Sequence, residues 1–274
     1  MNSLPLSQSG KSALEVATRA AKEAGALLVR RFSTKKDIKY KAGRANIVTD
    51  VDLLAEKQII GILRSEYPDF GIMSEESEAV TGAAPYTWII DPLDGTNNYT
   101  FGVPYFCVNI ALANEEDVLL GLTYDPMRKD LFHAEKGKGT FLNSRAVSVS
   151  KRKSVKASMI SFDMGYDSAK GRLVLDTIMS LWPGMHGLRL MGSAALGLAC
   201  VAAGRVDLYL QPNLFPWDIA AGLVLVGEAG GIATNWDGTP ATIHSTMVFA
   251  GNETLRNDFL QLVSKAGRPL ASLI

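Results

Sequence analysis

Residues 88–99, WIIDPLDGTNNY, constrain this chain more than any other stretch. Trp88, Ile89 and Ile90 form an apolar run that reads as a short buried strand. Asp91, Pro92, Leu93, Asp94 and Gly95 follow, and Thr96 opens a short helix. Pro92 stiffens the backbone, so two carboxylates three residues apart are held at the end of a strand. The N–H groups of Gly95 and Thr96 then come at a helix start, where an anion can bind. Carboxylates suit a hard cation and backbone N–H groups suit a phosphate, so the pattern points to metal-assisted phosphoryl chemistry. Asp, Pro and Gly are also ordinary turn residues, so the stretch acquires its meaning only from the rest of the chain.

The chain has 274 residues, 47% of them hydrophobic, which is enough to bury a large core as one domain or two intimately packed halves. Its 28 basic and 28 acidic side chains cancel to a formal net charge of +0. No basic excess points to nucleic acid or to an anionic membrane surface, so any anion site must come from local geometry or bound cations. No apolar run is long enough to span a bilayer. Cys107 and Cys200 sit far apart in apolar stretches, as buried free thiols do in a reducing compartment. The first ten residues lack an apolar signal core, and the expectation is a cytoplasmic protein.

Apolar residues at helical spacing predict a helix over 11–32, and a second over 51–67 with Thr49 or Asp50 as its N-cap, ended by Pro68. The basic run between them (Lys35, Lys36, Lys39, Lys41, Arg44) reads as a solvated hairpin or loop. Residues 70–73 read as a strand that delivers Ser74, Glu75, Glu76 and Ser77. Residues 105–113, 118–124 and 130–134 read as consecutive antiparallel strands, and the glycines of 136–140 as a hairpin turn that lacks phosphate-loop spacing. After a basic connector at 151–156, strands are expected at 159–162, 206–210 and 248–250, with an extended segment at 188–191. Helices are expected at 171–181, 193–203, 217–227 and 253–264. Pro216 falls near the start of the third of these, and Gly230-Gly231 ends it.

Taken singly, Asp52 and Asp218 are ordinary acids near helix starts and Glu75 an ordinary loop acid. Taken together, Glu75, Asp91 with Asp94, and Asp218 each lie at the end of an element. Oxygen donors with few histidines select Mg²⁺, Ca²⁺ or Mn²⁺ over zinc. The three histidines, His133, His186 and His244, have no metal-ligand spacing. A G-x-S-x-G elbow and a dinucleotide-binding G-x-G-x-x-G after a strand are both absent.

Four segments carry a family resemblance: 46–52 (NIVTDVD), 74–77 (SEES), 88–99, and 217–222 (WDIAAG) running into 228–231 (EAGG). With them the chain resembles the inositol monophosphatase family of Mg²⁺-dependent, lithium-sensitive phosphatases over nearly its whole length. The resemblance implies a layered α/β/α/β/α sandwich, with an α+β half over residues 1–150, an α/β half over 151–274 and the metals between them in one compact unit. It implies that Glu75, Asp91 and the carbonyl of Leu93 bind a first Mg²⁺, and Asp91, Asp94 and Asp218 a second. Glu75 helps hold a third through water, and Mn²⁺ is a substitute. Gly95 and Thr96 offer N–H groups to the phosphate, with Asp94 beside it. The Thr96 hydroxyl, oriented by Asp52, positions and deprotonates the attacking water, and Glu75 shares in catalysis. Lys41 matches a lysine near the metals, and Ser193 and Ala194 approach the sugar from a helix start. A homodimer is implied as well, to which 105–113 and 188–191 would contribute.

The substrate is less defined. Inositol-specific relatives carry a glutamate seven residues before the last metal aspartate, and this chain has Gln211 there. Glutamine is uncharged and donates as well as accepts. Myo-inositol-1-phosphate is the first expectation. Histidinol phosphate, fructose-1,6-bisphosphate and 3′-phosphoadenosine 5′-phosphate are alternatives, and a non-catalytic regulatory protein of the same fold is the rival of a different class.

Overall fold

Ser12 starts the first helix by a reciprocal cap. Its hydroxyl accepts the Glu15 N–H, and the Glu15 carboxylate accepts the Ser12 N–H at 2.8 Å. In the computed structural model, which describes residues 4–42, 46–115 and 117–266, this helix, α1, spans Ala13–Arg31. Arg44 of the basic run lies outside the described residues. The buried face of α1 is mostly alanine (Ala13, Ala17, Ala20, Ala21, Ala24), and such short side chains let it lie close against α2 (Asp50–Glu66). Thr49 caps α2. Between the helices, β1 (Ile38–Ala42) and β2 (Asn46–Thr49) form an antiparallel pair, so the basic run is in part a hairpin strand.

The first sheet follows in chain order: β3 (Gly71–Ser74), β4 (Thr87–Asp94), the short helix α3 (Thr96–Thr100), β5 (Cys107–Ala113), β6 (Val118–Asp125), β7 (Asp130–Glu135), β8 (Thr140–Leu142) and β9 (Arg145–Val147). The seven strands pair in sequence order; β3 and β4 are parallel and the others antiparallel. The turn at 136–139 is the expected hairpin, and the Glu228 carboxylate accepts its Gly137 and Gly139 N–H groups at 2.7 and 2.8 Å. One expectation fails here. Residues 105–113 cannot serve a dimer contact, because β5 is an inner strand whose residues are buried on both faces.

The remainder builds β10 (Met159–Phe162), α4 (Ser168–Leu181), β11 (Gly187–Arg189), α5 (Ala194–Ala202), β12 (Leu208–Pro212), α6 (Pro216–Glu228), β13 (Ile232–Thr234), β14 (Met247–Gly251) and α7 (Glu253–Lys265). The second sheet runs β11-β10-β12-β14-β13. Its third strand lies two residues later than the 206–210 expected from hydrophobicity, which places Gln211 on the strand.

Helices α1 and α2 cover one face of the first sheet. Helices α5 and α6 pack on its other face and also on the second sheet, whose far side is covered by α4 and α7. The result is the layered α/β/α/β/α sandwich. The middle layer depends on close approach. A Cβ on Gly121 of β6 would meet the Ala221 carbonyl and the Val224 side chain of α6 at 2.6 Å each. Among the described residues, no helix is long and apolar enough to cross a membrane.

Candidate active site

The strand β4 does not stop at Ile90; it continues through Asp94, so both aspartates are strand residues. Its pairing with β5 is regular to Asp91 opposite Asn109 and resumes with Asp94 opposite Cys107. Three steps on one strand thus face two on the other, which is a bulge at Pro92-Leu93. In a regular strand, residues three apart point to opposite faces. The extra residue brings the two carboxylates to one side.

Asp218 arrives from the middle layer. It is the third residue of α6, behind Pro216, and its carboxylate accepts the Phe215 N–H at 2.7 Å. The helix-start role foreseen for it is real, but the same side chain faces β4. One carboxylate oxygen from each of Asp91, Asp94 and Asp218 lies within 4.8 Å of the others. Burial, then Glu75, Asp94 and Asp218, push the Asp91 carboxyl well above the usual carboxylate range. Burial also raises Asp94, against the Ser193 hydrogen bond that lowers it, and burial followed by Asp94 raises Asp218. Three buried acids, each raised by burial and by Glu75 beside them, fit a bound cation, which would supply the missing positive charge. The donors are all oxygen, as a hard cation requires. The neighbouring Cys107 is a neutral thiol: burial and then Asp94 and Asp91 hold it well above its ordinary value, and it points at Asp94 Oδ2 from 3.7 Å.

Glu75 follows β3, and its N–H donates to the Ile90 carbonyl at 3.2 Å, beside Asp91. Its carboxylate meets Lys41 Nζ at 2.9 Å, and Glu76 meets the same ammonium at 2.7 Å. Burial pulls the Lys41 ammonium down, but the two glutamates outweigh it and hold it above its ordinary value. Burial and then Glu75 push Glu76 up to about 7.

Thr96 opens α3, and its hydroxyl lies 3.1 Å from Asp52 Oδ1 and 2.9 Å from the Leu93 carbonyl. Asp52 is fully buried. Its Oδ2 accepts the N–H and hydroxyl of Thr49, closing the cap of α2, while Oδ1 is left for Thr96. Burial pushes Asp52 up to about 6 against the pull of the Thr49 bonds. Gly95 precedes Thr96 at φ +94°, a left-handed conformation open to glycine, and a Cβ there would stand 3.0 Å from the Tyr105 carbonyl.

The residues expected on the sugar side are placed as follows. The Ser193 hydroxyl donates to Asp94 Oδ2, and the Ala195 N–H donates to the same oxygen at 2.9 Å. Ala194, between them, is buried. Gln211 lies against the Tyr209 hydroxyl, which also contacts Asp163 Oδ2 at 2.8 Å. Sequence reading named Thr49 only as a helix cap and Glu76 only as a loop acid, and it missed Asp163, Tyr166 and Tyr209. The Thr49…Asp52 spacing of a capping box was a visible signal for the contact between those two. Tyr166 is half-exposed, with its phenol raised by burial and then by Glu75, Asp218, Asp94 and Asp91, so it stands at the rim of the acid cluster.

The sequence model of the inositol monophosphatase family matches residues 11–268. The inositol monophosphatase of Dictyostelium discoideum is 37% identical over 271 residues, covering 96% of this chain and 97% of that one. The Nus factor SuhB of Xylella fastidiosa is 35% identical, covering 94% and 96%. Among solved structures, the extragenic suppressor protein SuhB of Bartonella henselae superposes with a TM-score of 0.88 at 36% identity, covering 92% of this chain and 98% of that one. The fold, the acidic cluster and these matches agree: the chain belongs to the inositol monophosphatase family.

Proposed function

We propose that this protein is a Mg²⁺-dependent phosphomonoesterase acting on a small polyol phosphate, with myo-inositol-1-phosphate as the preferred candidate. The observation that carries the reading is the convergence of Asp91, Asp94 and Asp218 beside the Thr96–Asp52 pair. Glu75, Asp91 and the Leu93 carbonyl would hold one ion and Asp91, Asp94 and Asp218 another, with Glu75 sharing a third. Bound there, Mg²⁺ neutralises phosphate charge and makes water more acidic, and Mn²⁺ would serve the same purpose. The chain's own groups do the rest. Gly95 and Thr96 present backbone N–H groups to the phosphate. The Thr96 hydroxyl takes a proton from the attacking water as its own proton passes to Asp52 Oδ1. Lys41 balances the charge of Glu75 and Glu76 at the rim.

Gln211 departs from the glutamate of inositol-specific relatives, but a glutamine can still hydrogen-bond a polyol hydroxyl. Relatives named Nus factor SuhB match this chain in the same range of identity, but a regulatory role without catalysis would not require all of Asp52, Glu75, Asp91, Asp94, Thr96 and Asp218. A homodimer is part of the proposal. Phe101, Val103 and Leu190 are exposed apolar side chains on segments that Asn98 ties together through the Met191 carbonyl at 2.7 Å.

The test is phosphate release from inositol-1-phosphate, histidinol phosphate, fructose-1,6-bisphosphate and 3′-phosphoadenosine 5′-phosphate, side by side, with Mg²⁺ and then with added Li⁺. The expected result is a preference for inositol-1-phosphate that Li⁺ suppresses. Asp94→Asn should reduce the rate by about 100-fold, roughly 2.7 kcal/mol of transition-state binding. Survival of full activity in that variant overturns the metal mechanism, and a tenfold preference for another substrate overturns the choice of inositol.

A further inference from the structure

A cavity of about 380 Å³ opens away from the acid cluster, where the β6–β7 turn, α5 and the β10–β11 edge of the second sheet meet. Its volume is at the small end of the range that takes small molecules. Three guanidiniums line it: Arg128 from the β6–β7 turn, Arg189 from β11, and Arg205 from the loop before β12. Two carboxylates answer them. Arg128 Nη1 meets Asp125 at 3.2 Å, and Arg205 Nη1 meets Asp130 at 2.7 Å. Those ion pairs account for where Arg128 and Arg205 sit. They do not account for Arg189. It donates only to the neighbouring Leu188 carbonyl at 2.8 Å, and among the described residues no carboxylate pairs with it. The cavity therefore keeps one positive charge that the protein does not balance. The rest of the lining is ring, thioether and thiol. The Tyr105 ring lies 5.2 Å from the Arg128 guanidinium, and Met159 and Met191 add apolar surface. Cys200 lines the same space from α5 and is half-buried. Burial raises its thiol against the pull of Tyr105, Arg205 and Arg128, so both guanidiniums act on the sulfur.

We propose that this cavity binds a small organic oxyanion, a phosphate or a carboxylate, through Arg128, Arg189 and Arg205. A guanidinium stays charged and offers a planar fork of N–H donors that matches carboxylate and phosphate oxygens. The ring and thioethers beside the forks suit a short carbon body. The site does not depend on the phosphatase reading, because arginines and not a bound cation supply its positive charge. It shares an element with the acid cluster all the same. Cys200 stands roughly 10 Å along α5 from Ser193, whose hydroxyl donates to Asp94. The Tyr105 carbonyl and the Met191 carbonyl, both from lining residues, accept the Asn98 amide at 2.8 and 2.7 Å.

The test reads the charge of the cavity at Cys200, with EDTA present so that no anion is held through a cation. Cys107 is fully buried, so Cys200 is the thiol a reagent reaches, and Cys200→Ala should abolish the reaction. Relative to a free thiol, the anionic sulfonatoethyl methanethiosulfonate should modify Cys200 about tenfold faster than the cationic trimethylammonioethyl reagent, and Arg189→Gln should cut that ratio about threefold. Phosphate or succinate should slow the modification more than potassium chloride of equal ionic strength does. Protection by phosphate alone makes the ligand a phosphate, protection by succinate alone makes it a carboxylate, and protection by both means a site that reads only the oxyanion. A ratio of one, or no protection beyond the chloride control, overturns the proposal. If Cys200 is closed to both reagents, the arginine side-chain N–H resonances decide. Those of Arg128, Arg189 and Arg205, assigned by their loss in Arg128→Lys, Arg189→Gln and Arg205→Lys, should shift on adding phosphate or succinate. Resonances that stay in place overturn the site.

Discussion

Asp94 is held on three sides by groups that are not acids. The Ser193 hydroxyl and the Ala195 N–H both donate to its Oδ2, and Cys107 approaches the same oxygen. These bonds fix the Asp94 carboxylate beside Asp91 and Asp218. Partners of this kind set ligand orientation, and their loss costs about 10–100-fold in metal affinity or activity. Ser193→Ala should accordingly raise the Mg²⁺ concentration for half-maximal phosphate release by that factor while leaving the saturated rate closer to wild type. An unchanged Mg²⁺ titration would show that Ser193 has no share in orienting Asp94. Asp52 makes a prediction in pH. In the proposed mechanism it accepts the Thr96 proton and so must be ionised, and burial pushes its carboxyl up to about 6. Activity should therefore rise with pH through about 6 and level above it. Asp52→Asn should remove that limb and lower the rate by about 10²–10⁴. An acid limb that persists in the variant would belong to another group. At this scale the acids were legible, because Asp91 and Asp94 sit in a run whose turn residues and spacing are visible in one dimension. The Asp163–Tyr209–Gln211 cluster was not. Tyr209 reads as one more apolar strand residue, and Asp163 lies 46 positions away until β10 and β12 pair side by side.

Each acid depends on the element that delivers it, and the elements were legible unequally. The starts of α1, α2 and α6 announce themselves by Ser12 with Glu15, Thr49 with Asp52, and Pro216. The bulge in β4 does not, because it is a relation between two strands: Pro92 and Leu93 together hold one residue too many only when counted against β5. The seating of α6 is equally nonlocal. Asn109 of β5 donates to the Trp217 carbonyl at 2.8 Å and accepts the Thr123 hydroxyl at 2.7 Å, which ties the start of α6 to the first sheet next to Asp218. Gly121 permits the approach further along the helix. Gly121→Val would force α6 off the sheet, since carbonyl and side-chain atoms already stand 2.6 Å from where its Cβ would be. Overpacking of this sort costs about 1–3 kcal/mol, or roughly 3–10 °C in Tm for a chain of this size. Calorimetry should show that loss, and Mg²⁺-dependent activity should fall with it because Asp218 moves with the helix. A variant as stable as wild type would mean that the middle layer is not close-packed there.

The whole molecule brings acids from the first sheet and from the middle helical layer, and so from both halves of the chain, to one place, and that placement has a thermodynamic consequence. Periodicity could name the strands and helices but not their stacking. Apolar α5 and α6 read only as buried helices, and that they lie between two sheets became an expectation through resemblance alone. Between those sheets, Asp91, Asp94 and Asp218 are raised above their ordinary values by burial first and then by neighbouring carboxylates, Glu75 among them. The unfolded chain releases these protons near pH 4. From there up to the raised folded values, the folded state binds more protons than the unfolded one, so stability without metal falls as pH rises. Above both values the full cost of the ionised cluster remains. On the proposed reading a divalent cation would reverse this, because it would bind the ionised cluster and only the folded chain presents it. At a concentration of 100 Kd the stabilisation is about 2.7 kcal/mol, or roughly 5–10 °C in Tm. The Tm increment from added Mg²⁺ should be larger at pH 7.5 than at pH 5, where protons compete for the same oxygens, and EDTA should erase it. It should also shrink in Asp94→Asn. An increment that is equal at both pH values, or is untouched by that substitution, would place the cation elsewhere on the protein and separate the buried acids from metal binding.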